Sequence, residues 1–173
     1  MTAPTTTSRP RQDLLGVYLN DHLAGATIGM SLARRMVASA GPGSERGTVL
    51  RQLAADITED RSALLEIMAA LGIQVRSYKV LAAWAGEKAG RLKLNGHLLT
   101  RSPLSDLEEA EFLRLGVVGK AAGWRTLRVL ANRDRRLDAA RLDDLMARAD
   151  HQASVLESLR SAAAERMLTS GTR

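Results

Sequence analysis

The sequence predicts an all-α protein built from four long helices. Hydrophobic residues make up 45% of the 173 residues, whereas aromatic residues make up only 3%. Ala and Leu, which favour helices, dominate the apolar fraction, and the clusters of Val, Ile, Thr and Tyr typical of strands are scarce. A chain of this length is expected to form one domain with a sizeable core.

Breaks in the apolar periodicity separate the first two helices. The first is predicted over residues 13–38, and the sequence AGPGS at residues 40–44 ends it. The second is predicted over residues 44–71, with its end at the Leu-Gly pair. A link this short makes the two helices antiparallel.

The third helix opens at the sequence SPLSDLEE and has two alternative N-terminal caps. Ser102 would precede a proline at the first helical position, or Ser105 and Glu108 would form a capping box. This helix is predicted to extend to residue 131. The sequence NRDRR then makes a turn, and the fourth helix is predicted over residues 137–167.

A long crossover, residues 72–101, joins the two helical pairs and is predicted to contain a short helix over 77–91. A simple up-down bundle would need only a short link at this position. The predicted domain covers residues 13–168, with disordered tails at 1–12 and 169–173.

Each predicted helix carries a polar side chain near the middle of its apolar stripe. A carboxylate buried alone is costly, so these groups are expected to contact one another, a metal ion or trapped water. The small residues Gly25, Ala26 and Gly29 would let a helix approach closely or leave room for water. The residues predicted to form this polar layer are His22, Asp56, Asp60, Glu111 and Gln152.

Purely structural roles are the alternative for three of these side chains, because a buried His or carboxylate often serves as a hydrogen-bonded core residue or an ion pair. The predicted partners are Tyr18 or Asp60 for His22, Arg61 or Arg34 for Asp60, and Arg114 or Arg148 for Glu111.

The third helix is apolar on more than one side. A surface formed by Val117, Trp124 and Leu127 is predicted to face away from the core, against the crossover through Leu81 and Trp84 or against a second copy of the chain. The predicted core stripe of this helix contains Leu104, Leu107, Leu115, Val118, Ala122 and Val129.

The helix pattern, the crossover and the inward carboxylates resemble the ferritin-like superfamily over residues 13–167. That resemblance implies a di-iron or di-manganese centre, with one Glu on each of two helices and Glu-x-x-His on each of the other two. By position, His22 and Asp60 would stand for the glutamates of the first two helices, Glu111 for that of the third, and Gln152 near the ligands of the fourth.

The chain departs from the ferritin-like pattern at the metal ligands. It contains no Glu-x-x-His or Asp-x-x-His sequence, since Ala63 and Val155 occupy the third positions after Asp60 and Gln152. The resemblance therefore implies a degenerate site, and imidazole with carboxylates would suit Fe, Mn or Zn if a metal binds.

Charge and composition limit the kinds of function that the protein can have. Lys and Arg total 25 against 19 acids, which admits nucleic acid or another anion as a partner. The basic residues cluster at 76–101 and 125–141, although solvated helix faces explain such clusters equally well. The absence of cysteine excludes disulfides and thiolate chemistry, and no signal or membrane-spanning segment is evident, so a cytoplasmic location is expected.

Three functions follow as hypotheses. The first, which the missing ligand motifs favour, is a non-enzymatic ferritin-like bundle that acts through its surface or as a homodimer. The second is a divergent Fe, Mn or Zn protein with ferroxidase or oxygen-activating activity. The third is a basic module that binds nucleic acid.

Overall fold

The computed structural model describes residues 9–76 and 103–170. These ranges contain four α-helices and no strand, so the prediction of an all-α four-helix protein is confirmed. None of the described helices is long and apolar enough to cross a membrane. The helices are α1 (Arg9–Ser39), α2 (Glu45–Ala70), α3 (Pro103–Ala131) and α4 (Ala139–Ser170).

Local sequence signals set the helix ends. α2 begins after Ser44, whose hydroxyl accepts a hydrogen bond from the Gly47 amide at 3.0 Å, and ends before Gly72, whose φ of 69° suits a residue without a Cβ. α1 begins at Arg9, earlier than predicted, and α4 extends beyond its predicted end. The predicted short helix at 77–91 lies outside the described residues.

α2 and α3 run in the same direction. At their N-terminal ends Arg46 pairs with Asp106 at 2.9 Å, and at the other end Arg136, just beyond α3, donates to the Leu71 carbonyl at 3.1 Å. The start of α3 and the end of α2 thus lie about 40 Å apart, given a rise of about 1.5 Å per helical residue. α1 pairs with α2, α3 pairs with α4, and α1 also packs against α3.

Asn20 links the segment that follows α2 to the side of α1 through hydrogen bonds. Its buried amide donates to the carbonyl of Gln74 at 3.1 Å and to that of Gly16 at 2.7 Å, and its side-chain oxygen accepts from the Arg76 amide at 2.7 Å. Sequence periodicity did not identify this residue, because a polar side chain that binds a neighbouring backbone has no pattern of its own.

The core face of α3 is the opposite of the predicted one. Leu115 and Val129, predicted to be buried, are 65% and 68% exposed, whereas Trp124 and Leu127, predicted to face away, are 3% and 0% exposed. The prediction failed because α3 is apolar on several sides, and because Lys120 lies on the face that is buried. A charged residue on that face moved the apparent apolar stripe around the helix.

This orientation of α3 is testable with a matched pair of leucines. We expect Leu127→Ala to lower the free energy of unfolding by about 2–5 kcal/mol, because it leaves a cavity in the core. Leu115→Ala should change it by no more than about 0.5 kcal/mol, because that side chain is mostly in solvent. Urea denaturation followed by circular dichroism measures both, and the reverse order of effects would contradict the orientation.

Candidate functional site

A buried ionic cluster joins three helices at the level of Asp60. The Asp60 side chain on α2 is 1% exposed, and its carboxylate accepts three hydrogen bonds. Oδ1 accepts from Arg148 Nε at 2.7 Å and also lies 2.5 Å from Arg148 Nη2 in an ion pair. Oδ2 accepts from Lys120 Nζ and from Gln152 Nε2, the latter at 2.9 Å. Lys120 lies on α3, and Arg148 and Gln152 lie on α4.

The cluster is closed by reciprocal contacts among its members. Lys120 Nζ also donates to Gln152 Oε1, so the amide of Gln152 bridges the cation and the carboxylate. Arg148 extends outward to Glu59 at 3.0 Å. Burial lowers the pKa of Lys120 below its ordinary value, and the Asp60 carboxylate opposes that shift. Removing Asp60 would leave two cations without their buried counter-ion.

The predicted polar layer forms only in part. Asp60 and Gln152 lie together as partners, whereas Asp56 is half-buried, accepts from Gln52 at 2.8 Å and acts on Lys120 through its charge. The prediction that Glu111 faces the core is wrong: its side chain is 50% exposed and lies 4.0 Å from Arg160. This error follows from the misassigned face of α3. The alternative partners predicted for Asp60, Arg34 and Arg61, are likewise replaced by Lys120 and Arg148.

The residues at this level do not fit the dinuclear metal centre that the ferritin-like resemblance implies. Among the described residues, no group of three or more His, Asp or Glu side chains converges on one point. Asp60 is surrounded by N–H donors, and two of its partners are cations, which would repel a metal ion. Its chemistry is that of an ion-pair network.

A cavity of about 430 Å³ lies between α1, α2 and α3, beside the ionic cluster. Glycines from two helices open it: a Cβ added at Gly25, Gly116 or Gly119 would meet no atom of the described residues within 4 Å. These glycines therefore create space and do not serve close helix packing. The apolar part of the lining includes Leu19, Ile57, Leu64, Leu113, Val117 and Leu127.

His22 lies in the wall of this cavity. Its ring contacts Tyr18 edge-on, with centroids 4.5 Å apart, and a Cβ at Gly123 would lie 3.0 Å from His22 Cε1. Gly123 thus provides the room that the imidazole occupies. Burial lowers the pKa of His22 below its ordinary value, against a smaller opposing effect of Asp21, so the ring is neutral at pH 7.

Two residues of α3 that border the cavity, Lys120 and Trp124, contain hydrogen-bond donors. Lys120 and Trp124 are four residues apart and share one helix face. Trp124 is 3% exposed, and its Nε1–H is buried with no hydrogen-bond partner among the described residues. Sequence analysis missed Lys120 and assigned Trp124 to the wrong face. The available signal was a Lys and a Trp at i and i+4 among small residues.

The second basic cluster is largely compensated by acids. Four of the arginines within residues 125–141 form ion pairs, so the cluster does not offer a continuous set of unpaired cations for phosphates. The pairs are Arg125–Asp150 at 3.0 Å, Arg128–Asp143 at 2.9 Å, Arg136–Asp134 at 2.6 Å, and Arg141–Glu66. The first basic cluster lies outside the described residues, except for Arg76.

The ionic cluster is expected to support the fold. Asp60→Asn should lower the free energy of unfolding by at least about 2 kcal/mol, because it leaves Lys120 and Arg148 without the buried negative charge. Glu111→Gln is the matched control and should cost no more than about 0.5 kcal/mol. Equal, small effects in chemical denaturation would contradict this role for Asp60.

The lowered pKa of His22 predicts a pH dependence of stability. As the pH falls through about 6.5, the ordinary His pKa, the unfolded chain binds a proton that folded His22 resists, so the folded state loses stability. We expect His22→Gln to lose less stability between pH 7 and pH 5.5 than the unmodified protein. The exposed His151 provides the control variant, His151→Gln, which should keep the original decline. Identical pH profiles for all three proteins would refute this assignment.

No family model matches the chain, and searches of curated proteins and of solved structures likewise find no match. The cavity and the ionic cluster beside it are therefore the features of this protein that bear on its function.

Proposed function

We propose that this protein is a non-enzymatic helical bundle that binds a small apolar or amphipathic molecule in the cavity between α1, α2 and α3. The observation that carries the proposal is the cavity itself, with a largely apolar wall that is also bordered by Lys120 and His22. Binding sites of small molecules have this composition: mostly apolar walls with a few placed polar groups.

The size of the cavity suits a ligand larger than a single ring. A dry apolar cavity of about 150 Å³ in another protein holds benzene. The present cavity, at about 430 Å³, is within the range of about 300–1,000 Å³ found for small-molecule sites. Gly116 and Gly119 both line the cavity and are exposed, so the cavity is open to solvent beside them.

The glycines also support the proposal that the empty space has a function. A helical Gly is less stable than Ala by about 1 kcal/mol, so Gly25, Gly116 and Gly119 each weaken their helix. A Cβ added at any of the three positions would meet no atom of the described residues within 4 Å, so the space beside each glycine is open. A cavity kept open at a cost in stability is expected where a ligand occupies it.

In this proposal the ionic cluster stabilises the fold. The proposal also includes kinship of the protein with the ferritin-like superfamily. Support for that kinship comes from the shared direction of α2 and α3, which places the end of α2 and the start of α3 at opposite ends of the bundle, as in ferritin-like proteins. Lys120 and Arg148 occupy the space beside Asp60 where that superfamily would hold metal. We therefore propose a bundle that has exchanged a metal centre for an ion-pair network and an adjacent cavity.

Filling the cavity tests the proposed function. N-phenyl-1-naphthylamine, an uncharged fluorescent probe, should bind the unmodified protein with enhanced fluorescence. Gly116→Leu combined with Gly119→Leu should weaken that binding at least about tenfold, equivalent to about 1.4 kcal/mol, because the leucines occupy the space. The same variant should melt at a higher temperature, because it loses two helical glycines and a void.

The control for this variant is Ala122→Leu, which adds a leucine to the same helix at an exposed position outside the cavity lining. It should leave the affinity for the probe unchanged. A probe that fails to bind, or that binds all three proteins equally, would overturn the proposed function.

A further inference from the structure

We propose that the ligand of the cavity is an uncharged molecule with an apolar body and a hydroxyl group, and that the imidazole of His22 binds this hydroxyl. The inference rests on the proposed function and adds the chemical class of the ligand. It follows from two observations on the described residues: the ring nitrogens of His22 are accessible and have no hydrogen-bond partner, and the charges beside the cavity are already matched by opposite charges.

The ring nitrogens of His22 can be reached from the cavity. No described residue forms a hydrogen bond with the ring. The fully buried side-chain polar atoms that lack a partner in the described ranges are Arg114 Nε and Trp124 Nε1, so both nitrogens of His22 keep accessible surface. Each lies 3.2 Å from the Cβ position of Gly123, a residue of the same lining, which places them on the side of the ring that faces α3.

Other polar side chains of the lining are already engaged. The hydroxyl of Tyr18 is hydrogen-bonded to that of Thr126 at 3.1 Å. Asp60 accepts three hydrogen bonds, one of them from Lys120. The imidazole of His22 is therefore the polar group of the wall with both accessible surface and unused hydrogen-bonding capacity at each of its two polar atoms.

The charges beside the cavity favour a ligand without charge. Lys120 and Arg148 are paired with Asp60 and Glu59. Asp21, the remaining charged residue of the lining, is exposed, so water screens it. A carboxylate or an ammonium in the ligand would lose its water in a largely apolar cavity without gaining a buried counter-ion.

A hydroxyl group complements a neutral imidazole. Because burial lowers the pKa of His22, the ring at pH 7 has one nitrogen that donates and one that accepts. A hydroxyl can donate to the second or accept from the first, so it suits either tautomer. Leu113, Val117 and Leu127 supply aliphatic surface for the apolar body of the ligand.

Competition with N-phenyl-1-naphthylamine tests the class of ligand. 4-Propylphenol, 4-propyltoluene and 4-propylbenzoate share an apolar body and carry a hydroxyl, a methyl and a carboxylate at one end. We expect 4-propylphenol to displace the probe at a concentration at least about tenfold lower than 4-propylbenzoate does, because the carboxylate must lose its water without gaining a counter-ion.

A histidine variant locates the hydroxyl. His22→Leu keeps a side chain of similar size but removes both ring nitrogens. It should weaken 4-propylphenol about threefold to tenfold and change the affinity for 4-propyltoluene by less than about twofold, because one hydrogen bond to the hydroxyl is lost. His151→Leu makes the same change at an exposed histidine outside the cavity, and it should affect neither compound.

NMR of the unmodified protein tests the same contact directly. 4-Propylphenol should move the side-chain nitrogen resonances of His22 much further than 4-propyltoluene does, because a hydrogen bond changes the electron density at the nitrogen that it engages. Through-bond experiments assign these resonances, so this measurement carries the test alone if His22→Leu does not fold.

The outcomes separate the two proposals. If the probe binds and the double leucine variant excludes it, but His22→Leu leaves the ratio of the affinities for 4-propylphenol and 4-propyltoluene unchanged, the cavity binds ligands and the hydroxyl assignment is wrong. Binding of 4-propylbenzoate as tight as that of 4-propylphenol, or His22 resonances that do not move, also overturns the assignment. Failure of the probe to bind the cavity refutes the proposed function itself.

Discussion

Much of this structure depends on the hydrogen bonds and ion pairs that stabilise one buried carboxylate, that of Asp60. A carboxylate at 1% exposure is costly without hydrogen-bond donors, and Lys120, Arg148 and Gln152 supply donors to Asp60 from α3 and α4. Because these donors come from two other helices, the cluster ties α2 to the α3–α4 pair at one level. It therefore sets the register of the helices around the cavity, which begins where the cluster ends.

The cavity is the consequence of small residues on the two helices that face each other beside this cluster. At Gly29 a Cβ would make ordinary contact with Leu113 at 3.6 Å, so the helices approach there. At Gly25, Gly116 and Gly119 the same Cβ would meet nothing within 4 Å. Apolar packing and open space thus alternate along one interface, and the open part lies next to the ionic cluster.

The polar groups near the cavity differ in whether the described residues satisfy their hydrogen bonds. The carboxylate of Asp60 accepts three hydrogen bonds, whereas the indole N–H of Trp124 has no acceptor among the described residues. Buried donors are rarely left without a partner in folded proteins. Among the described residues, the ionic cluster is therefore the hydrogen-bonded part of this region, and the indole N–H is the buried part without a partner.

The sequence by itself determined the four helices, their short antiparallel links and the burial of Asp60 and Gln152, because caps, glycines and apolar periodicity act within a few residues. Only the tertiary structure decided which face of α3 is buried, that Lys120 and Arg148 compensate Asp60, and that Glu111 lies outside. A helix that is apolar on several sides has no preferred face of its own, and its orientation depends on the partners that neighbouring helices offer to its charges.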